Sequence, residues 1–493
     1  MDIKPMFNAY PDSLGGKLSD IVKLFSDYNF SKAFSSFYIL PSLFKSDLDR
    51  GFCVVSYDLN KELADEKDLE KLRSLGIKLK LDFVLNHLSA TSPQFLDLLE
   101  KGQTSEYSDF FINWNEFWKG CGPLTEEGYI SPDPELIKNM FFRKPGLPII
   151  MVEDSQGNKT PYWNTFYQKV TEENGKKKYL GQIDLNVNSG RVWNFYCETL
   201  KKLSEYGADI IRLDAFAYAS KAKGKRNFLN PETWDILSRI KDETKDYNLS
   251  LLPEIHESYE KGIYKQINQK GYPGYDFFLP GLLLYCIEKK DSTVLADWAN
   301  QILNEKLNLV NMLGCHDGIP LLDLKGLISD DEIEELIDLV VNRGGYVKNL
   351  YGQKNIYYQV NATYYSALGE ENSKLLLARA IQLFMPEKPQ IWYLDLFAGK
   401  NDIDAVKRGG EGAHKEINRT NLNWTQIKEG LKKTVVQEQL KLLELRNTHP
   451  AFNKNADIKI GSNKNKFLIS WKYNDHKITL IADLADYTYR IEK

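Results

Sequence analysis

Apolar runs that close on a polar or special residue recur along this chain, and they constrain its fold more than any other feature. They are "FSSFYILPSLF" (34–44), "IKLKLDFVLNH" (77–87), "ADIIRLDAF" (208–216), "LSLLPEIHE" (249–257), "LNLVNMLGCHDG" (307–318) and "KPQIWYLDLF" (388–397). Short, nearly continuous apolar runs of this kind read as strands buried on both faces. Shorter runs near Phe7 and at "YDFFLPG" (275–281) bring the number to eight. Between them, "DEKDLEKLRSLG" (65–76) and "RVWNFYCETLKKLSEYG" (191–207) space their apolar residues as helices do and end in Gly. Strand, helix, strand, with chemistry at the C-terminal strand ends, predicts an α/β fold, a (β/α)8 TIM barrel.

Two intervals are too long for crossover helices. Residues 88–181 are expected to form an inserted domain B after the third strand, and residues 319–370 a second insertion, B′, after the seventh. Residues 446–493 contain "KFLISWKY" and "KITLIADL", whose alternation predicts a small C-terminal β-domain. The barrel is then assigned residues 1–87, 182–318 and 371–445.

With 42% hydrophobic and 27% charged residues, the chain can bury a large core and is not disordered. A net charge of −4 gives no electrostatic reason to expect nucleic acid or an anionic membrane as partner. No stretch reaches the ~18 apolar residues of a membrane span, and "MDIKPMFNAYPDSLGG" lacks the apolar core of a signal peptide. Cys53, Cys121, Cys197, Cys286 and Cys315 are scattered and form no C-x-x-C pair, so neither a disulfide framework nor a zinc site is indicated. A cytoplasmic monomer or homodimer without metal or cofactor is expected.

The chemistry concentrates at four strand ends. In "IIRLD", Arg212 and Asp214 alternate with apolar neighbours and so share one face of a strand, which cannot be ordinary core. Asp82, Asn86 and His87 close the third strand, Glu254 the fifth, and His316 with Asp317 the seventh. Each alone reads as a structural hydrogen-bonding group; together on one barrel rim they read as a site.

D-x-x-x-N-H, R-x-D, a Glu on the next strand and H-D on a later one resemble the four ordered motifs of the α-amylase superfamily, glycoside hydrolase family 13. "AYPDSLGG", "LDRGF", "RLDAFAYA", "LPEIHE", "CHDGI", "YQVNATYYSAL", "LFAGKNDIDAV" and "EINR" are similar to its sucrose phosphorylase branch, subfamily 18. The resemblance implies retaining α-glucosyl transfer: reversible phosphorolysis of sucrose to α-glucose 1-phosphate and fructose through a covalent β-glucosyl–Asp214 intermediate. It makes sucrose or a related α-glucoside, inorganic phosphate and α-glucose 1-phosphate the partners. Sucrose 6′-phosphate, glucosylglycerol and glucosylglycerate are alternative donors within the branch. An α-glucoside hydrolase or transglucosidase, and a non-catalytic amylase-like binding protein, are the readings outside it.

The resemblance assigns roles residue by residue. Asp214 is the nucleophile, kept ionised by Arg212, and Glu254 the general acid and base; such a pair needs its carboxyl groups about 5–5.5 Å apart. Asp317 is the third carboxylate, which grips sugar hydroxyls. Asp49, Phe52, His87, Phe166, His316 and Arg419, with Arg212, are glucose-binding. Arg143 and Lys144 in "MFFRKPGLP" (140–148), His256, Tyr358 and Gln359 are phosphate- or acceptor-binding. Tyr358 and Gln359 lie in a loop of B′ that, in the family, rearranges between fructose and phosphate. Related enzymes for sucrose 6′-phosphate are expected to carry a histidine in that loop; its absence here favours plain sucrose, while Arg343, Lys348 and Lys354 weigh the other way. "RGGEGAHKEINRTNLNW" (408–424) is longer than the branch's usual wording and different from it.

Overall fold

Eight strands share one sheet in the computed structural model, which describes residues 1–144, 146–173, 176–347, 359–410 and 413–493. They are β1 (Met6–Ala9), β2 (Ser36–Ile39), β3 (Lys78–Val84), β4 (Ala208–Asp214), β5 (Ser250–Pro253), β6 (Gly274–Asp276), β7 (Leu309–Asn311) and β8 (Lys388–Trp392). The order across the sheet is β5-β4-β3-β2-β1-β8-β7-β6. Met6 stands beside Ser36 on one side and Gln390 on the other, Arg212 beside Leu252 and Gly274 beside Leu309, all in parallel register. Every strand but β6 neighbours its predecessor, β1 neighbours β8, and β5 and β6 end the order, which is the sheet of a (β/α)8 barrel.

The strands are shorter than the apolar runs, for local reasons. In 34–44 the strand stops at Ile39, because Pro41 has no N–H for the ladder and opens a tight turn, Pro41–Leu43. In 388–397 the strand ends at Trp392 and Tyr393–Leu396 is helical. In 307–318 the strand is Leu309–Asn311 alone, and Cys315 and Gly318 form an isolated antiparallel bridge beyond it. The two helices expected from spacing are found at Glu66–Ser74 and Gly190–Glu205, the second capped by the Ser189 hydroxyl accepting from Arg191 N.

The chain divides into two compact units, Met1–Ile39 with Lys67–Lys80 and Ile255–Lys493, and Leu40–Glu66 with Leu81–Glu254. In the first, a four-stranded antiparallel sheet spans residues 457–492 and is tied by the Trp471 indole N–H donating to Phe384 O. Helix Thr434–Thr448 crosses the expected boundary at 445 without a break. Residues 319–370 contribute helix Asp330–Asn342 and a short antiparallel pair, Tyr346–Val347 with Val360–Asn361.

In the second unit, residues 88–181 build hairpins around a separate apolar cluster of Ile112, Trp114, Trp118, Met140 and Trp163. His87–Ser89 pairs antiparallel with the strand Lys176–Asp184, so the segment leaves and returns at the same place. Among the described residues no helix is long and apolar enough to cross a membrane.

Candidate active site

The second unit carries one cluster. Strand β4 ends at Asp214, and Ala215 follows with φ +51°, a left-handed conformation that is strained for alanine and turns the chain sharply into Phe216–Tyr218. Glu254 N donates to Leu213 O at 3.1 Å, which holds the residue after β5 against the end of β4. Between these carboxylates lies Arg212, 2% exposed: Nη1 is 2.7 Å from Asp214 Oδ1 and 2.6 Å from Asp82 Oδ1, and Nη2 is 2.5 Å from Glu254 Oε1. One buried guanidinium thus faces three carboxylates, and its rigid fork fixes the aim of two of them.

Asp49 and Phe52 sit on a turn that only glycine permits. Asp49 and Arg50 both have φ +47°, and a Cβ on Gly51 would stand 2.1 Å from Ser42 N. The Phe52 ring lies 5.5 Å from the Arg212 guanidinium, and its carbonyl accepts from His87 Nε2 at 2.9 Å. That bond sets the imidazole tautomer, with Nδ1 facing Asn86 Nδ2 at 3.4 Å. Burial lowers the His87 pKa and outweighs the Phe52 carbonyl, which raises it. Both ring nitrogens of His87 already have protein partners.

Phe166 packs 5.2 Å from His87 and 5.1 Å from Tyr218, ring to ring. Arg143 lies over both Phe166, at 5.3 Å, and Tyr218, at 5.8 Å, and donates to the Tyr218 hydroxyl at 3.2 Å. Lys144 turns elsewhere: its ammonium donates to Asn164 Oδ1, and burial, partly opposed by Asp184, lowers its pKa to about 8. A network the sequence reading missed supports this side. Asp184 accepts from Asn86 at 3.0 Å and from Thr165 Oγ1 at 2.6 Å, and pairs with Lys221 at 2.8 Å.

The first unit carries the second cluster. Asp317 Oδ1 meets Lys415 Nζ at 2.7 Å and Arg419 Nη2 at 3.8 Å, and Oδ2 meets His316 Nε2 at 3.2 Å. Burial would raise the Asp317 carboxyl, but His316, Lys415 and Arg419 together hold it well below the usual carboxylate range. Arg419 Nε donates to His316 O at 2.8 Å, and Asn361 Nδ2 donates to Asp317 O at 2.6 Å. Cys315, His316 and Asp317 bring metal-ligating atoms within 4.8 Å of one another. Two cationic side chains already face that carboxylate, so the set does not fit a metal ion.

His256 stacks on Phe277 at 3.6 Å, with Asp323 Oδ1 3.6 Å from Nδ1 and Gln359 Nε2 3.1 Å from Nε2. Tyr358, and Lys348 and Lys354 with it, lie outside the described residues. Lys415 was not singled out by motif; the only signal for it was the unusual wording of 408–424.

No protein-family model matches the chain. It is 50% identical over 496 residues to the sucrose 6(F)-phosphate phosphorylase of Ilumatobacter coccineus, covering 99% of this chain and 95% of that one. It is 33% identical over 499 residues to the sucrose phosphorylase of Streptococcus mutans, covering 99% and 97%. The crystal structure of sucrose 6F-phosphate phosphorylase from Thermoanaerobacter thermosaccharolyticum superposes with a TM-score of 0.89 at 36% identity, over 100% of this chain and 95% of that one. An α-amylase from H. orenii, at 15% identity and TM-score 0.65 over 98% and 90% of the chains, shares the fold.

Proposed function

The chain belongs to the sucrose phosphorylase branch of the α-amylase superfamily and is a glycoside phosphorylase; on that premise we propose that it works by retention through Asp214 and that its donor is sucrose 6′-phosphate. The observation that carries the mechanism is the single guanidinium of Arg212 shared by Asp214 and Glu254. In the first half-reaction Glu254 gives its proton to the glycosidic oxygen as the C1–O bond breaks, and Asp214 takes C1 as an ester. In the second, a phosphate oxygen displaces Asp214 from C1 and its proton returns to Glu254, which leaves α-glucose 1-phosphate. Arg212 stabilises Asp214 as a carboxylate each time it is released.

Asp317 is assigned the grip on sugar hydroxyls, which strengthens as the ring flattens toward the oxocarbenium-like transition state. Support for that role is the H-D motif in the loop after β7 and the cationic surroundings that keep Asp317 an acceptor. Asp49, Phe52, His87, Phe166, His316 and Arg419 are proposed to bind glucose, on the same motif grounds. Arg143 is proposed to meet the phosphate, because it stands beside Phe166 while Lys144 is engaged by Asn164.

The choice of donor rests on the relatives. The expectation of unphosphorylated sucrose drew on the absence of a histidine from the loop at 342–361, whereas the 50% identical relative is named for sucrose 6(F)-phosphate. The test is phosphate release from α-glucose 1-phosphate with fructose 6-phosphate, fructose, glycerol and glycerate as acceptors. Fructose 6-phosphate should lead by at least about tenfold in kcat/KM, a difference of about 1.4 kcal/mol. A lead for any of the other three would refute the proposed donor.

A further inference from the structure

Residues 314–319, the loop after β7 that bears His316 and Asp317, are held along their backbone by side chains from elsewhere in the first unit. Gly314 N donates to Asp395 Oδ2 at 2.9 Å, and a Cβ on Gly314 would stand 2.7 Å from that oxygen. The Cys315 carbonyl accepts from Asn418 Nδ2 at 2.7 Å, and the His316 carbonyl from Arg419 Nε at 2.8 Å. The Asp317 carbonyl accepts from Asn361 Nδ2 at 2.6 Å.

Asn361 is itself firmly placed. It is 3% exposed and lies on the short strand Val360–Asn361, whose Val360 exchanges both backbone hydrogen bonds with Ile319, at 2.8 and 3.0 Å. Tyr364 N, three residues on, donates to Asp395 Oδ1 at 3.2 Å, so one carboxylate anchors both the start of the loop and the segment that carries Asn361.

The residue after Asp317 is Gly318, with φ +109°, where a Cβ would stand 2.4 Å from Val360 O. Glycine places little steric restraint on the peptide that precedes it, so the Asp317–Gly318 peptide depends on hydrogen bonding for its orientation. Rotation of that peptide changes the direction in which Asp317 projects its side chain. A group that grips the transition state loses rate steeply when it is displaced, even by about 1 Å. His316, Lys415 and Arg419 act on the charge of the Asp317 carboxylate, whereas Asn361 acts on the backbone behind it.

We propose that Asn361 is a positioning residue for glucosyl transfer: its amide fixes the Asp317 peptide and, through it, the aim of the Asp317 carboxylate at the sugar. The inference rests on the role proposed above for Asp317. Because that role belongs to the glucosyl group, transfer to every acceptor shares the effect.

The experiment is a double-mutant cycle of wild type, Asn361→Leu, Asp317→Asn and the double variant, read as kcat/KM for α-glucosyl fluoride. Leucine keeps the branch at Cγ and removes the donor, and fluoride needs no proton to leave, which keeps impaired variants measurable. Asn361→Leu alone should lower kcat/KM about ten- to a hundredfold, by the same factor with phosphate and with fructose 6-phosphate as acceptor. In the Asp317→Asn background the same substitution should cost less than about twofold, because a carboxylate already replaced cannot be misaimed. Equal loss in both backgrounds would show that Asn361 acts elsewhere or only lowers the active fraction, and would overturn the inference. So would near-wild-type kcat/KM in Asn361→Leu, or a loss confined to one acceptor. Should Asn361→Leu fail to fold, Asn361→Ala, likewise without the donor, completes the cycle. Wild-type kcat/KM in Asp317→Asn would refute the grip assigned to Asp317 itself, and the inference would fall with it.

Discussion

Arg212 and Glu254 meet at 2.5 Å, Nη2 to Oε1, from adjacent parallel strands whose register sets Arg212 beside Leu252. The other arm of the guanidinium holds Asp214 and Asp82. Replacing Arg212 with Met would leave three neighbouring carboxylates without their cation, which should cost about 3–5 kcal/mol of stability. Urea unfolding should show it. Arg212→Lys keeps the charge but loses the fork, so it should fold better than Arg212→Met and still lose about a hundredfold or more in kcat. Near-normal kcat in Arg212→Lys would remove the shared guanidinium from the mechanism.

Asp214→Asn should fold normally and abolish turnover, because an amide cannot form the glucosyl ester. Glu254→Gln should be nearly inactive on the natural donor yet recover in part on α-glucosyl fluoride, whose leaving group needs no proton. Steady-state rates on the two donors decide it, and absence of recovery would take the acid role from Glu254.

Arg143→Ala should lower the ratio of α-glucose 1-phosphate to free glucose about ten- to a hundredfold, the equivalent of one charge-assisted contact. Lys144→Ala should change that ratio much less, because its ammonium is committed to Asn164. The reverse ranking would move the phosphate contact to Lys144.

Burial, partly opposed by Asp184, lowers Lys144 to about 8 from its ordinary 10.5. Below about 8 both folded and unfolded chains carry the charge, and the folded state bears the full cost of burying it. Between about 8 and 10.5 the unfolded chain binds more protons, so folding gains from Lys144 as pH rises. Lys144→Met should therefore be more stabilised, relative to wild type, at neutral pH than near pH 10, by about 1–3 kcal/mol. Urea midpoints at the two pH values measure this, and a constant difference would show that Lys144 is not charged at a cost.

The barrel was legible because its strands are buried on both faces and so read as apolar runs, and because Arg212 and Asp214 interrupt one run at the period of a strand. The strand ends were less legible. Pro41 and the helix at Tyr393 shorten runs whose hydrophobicity continues past the ladder. Lys415 was hidden for a different reason: a lone lysine in a polar stretch reads as a solvated surface charge, and only the fold brings it to Asp317. The same holds for Lys221 and Asp184, which stand 37 residues apart in sequence and 2.8 Å apart in space.

Retaining transfer of glucose to phosphate fixes the anomeric form of the first product. Proton NMR of sucrose 6′-phosphate turning over in phosphate buffer should show α-glucose 1-phosphate as the initial sugar product, with fructose 6-phosphate released in equal amount. Mass spectrometry of Glu254→Gln treated with α-glucosyl fluoride without phosphate should place one glucosyl group on the peptide containing Asp214. β-Glucose 1-phosphate as the first product would contradict the account, as would free glucose in place of a sugar phosphate.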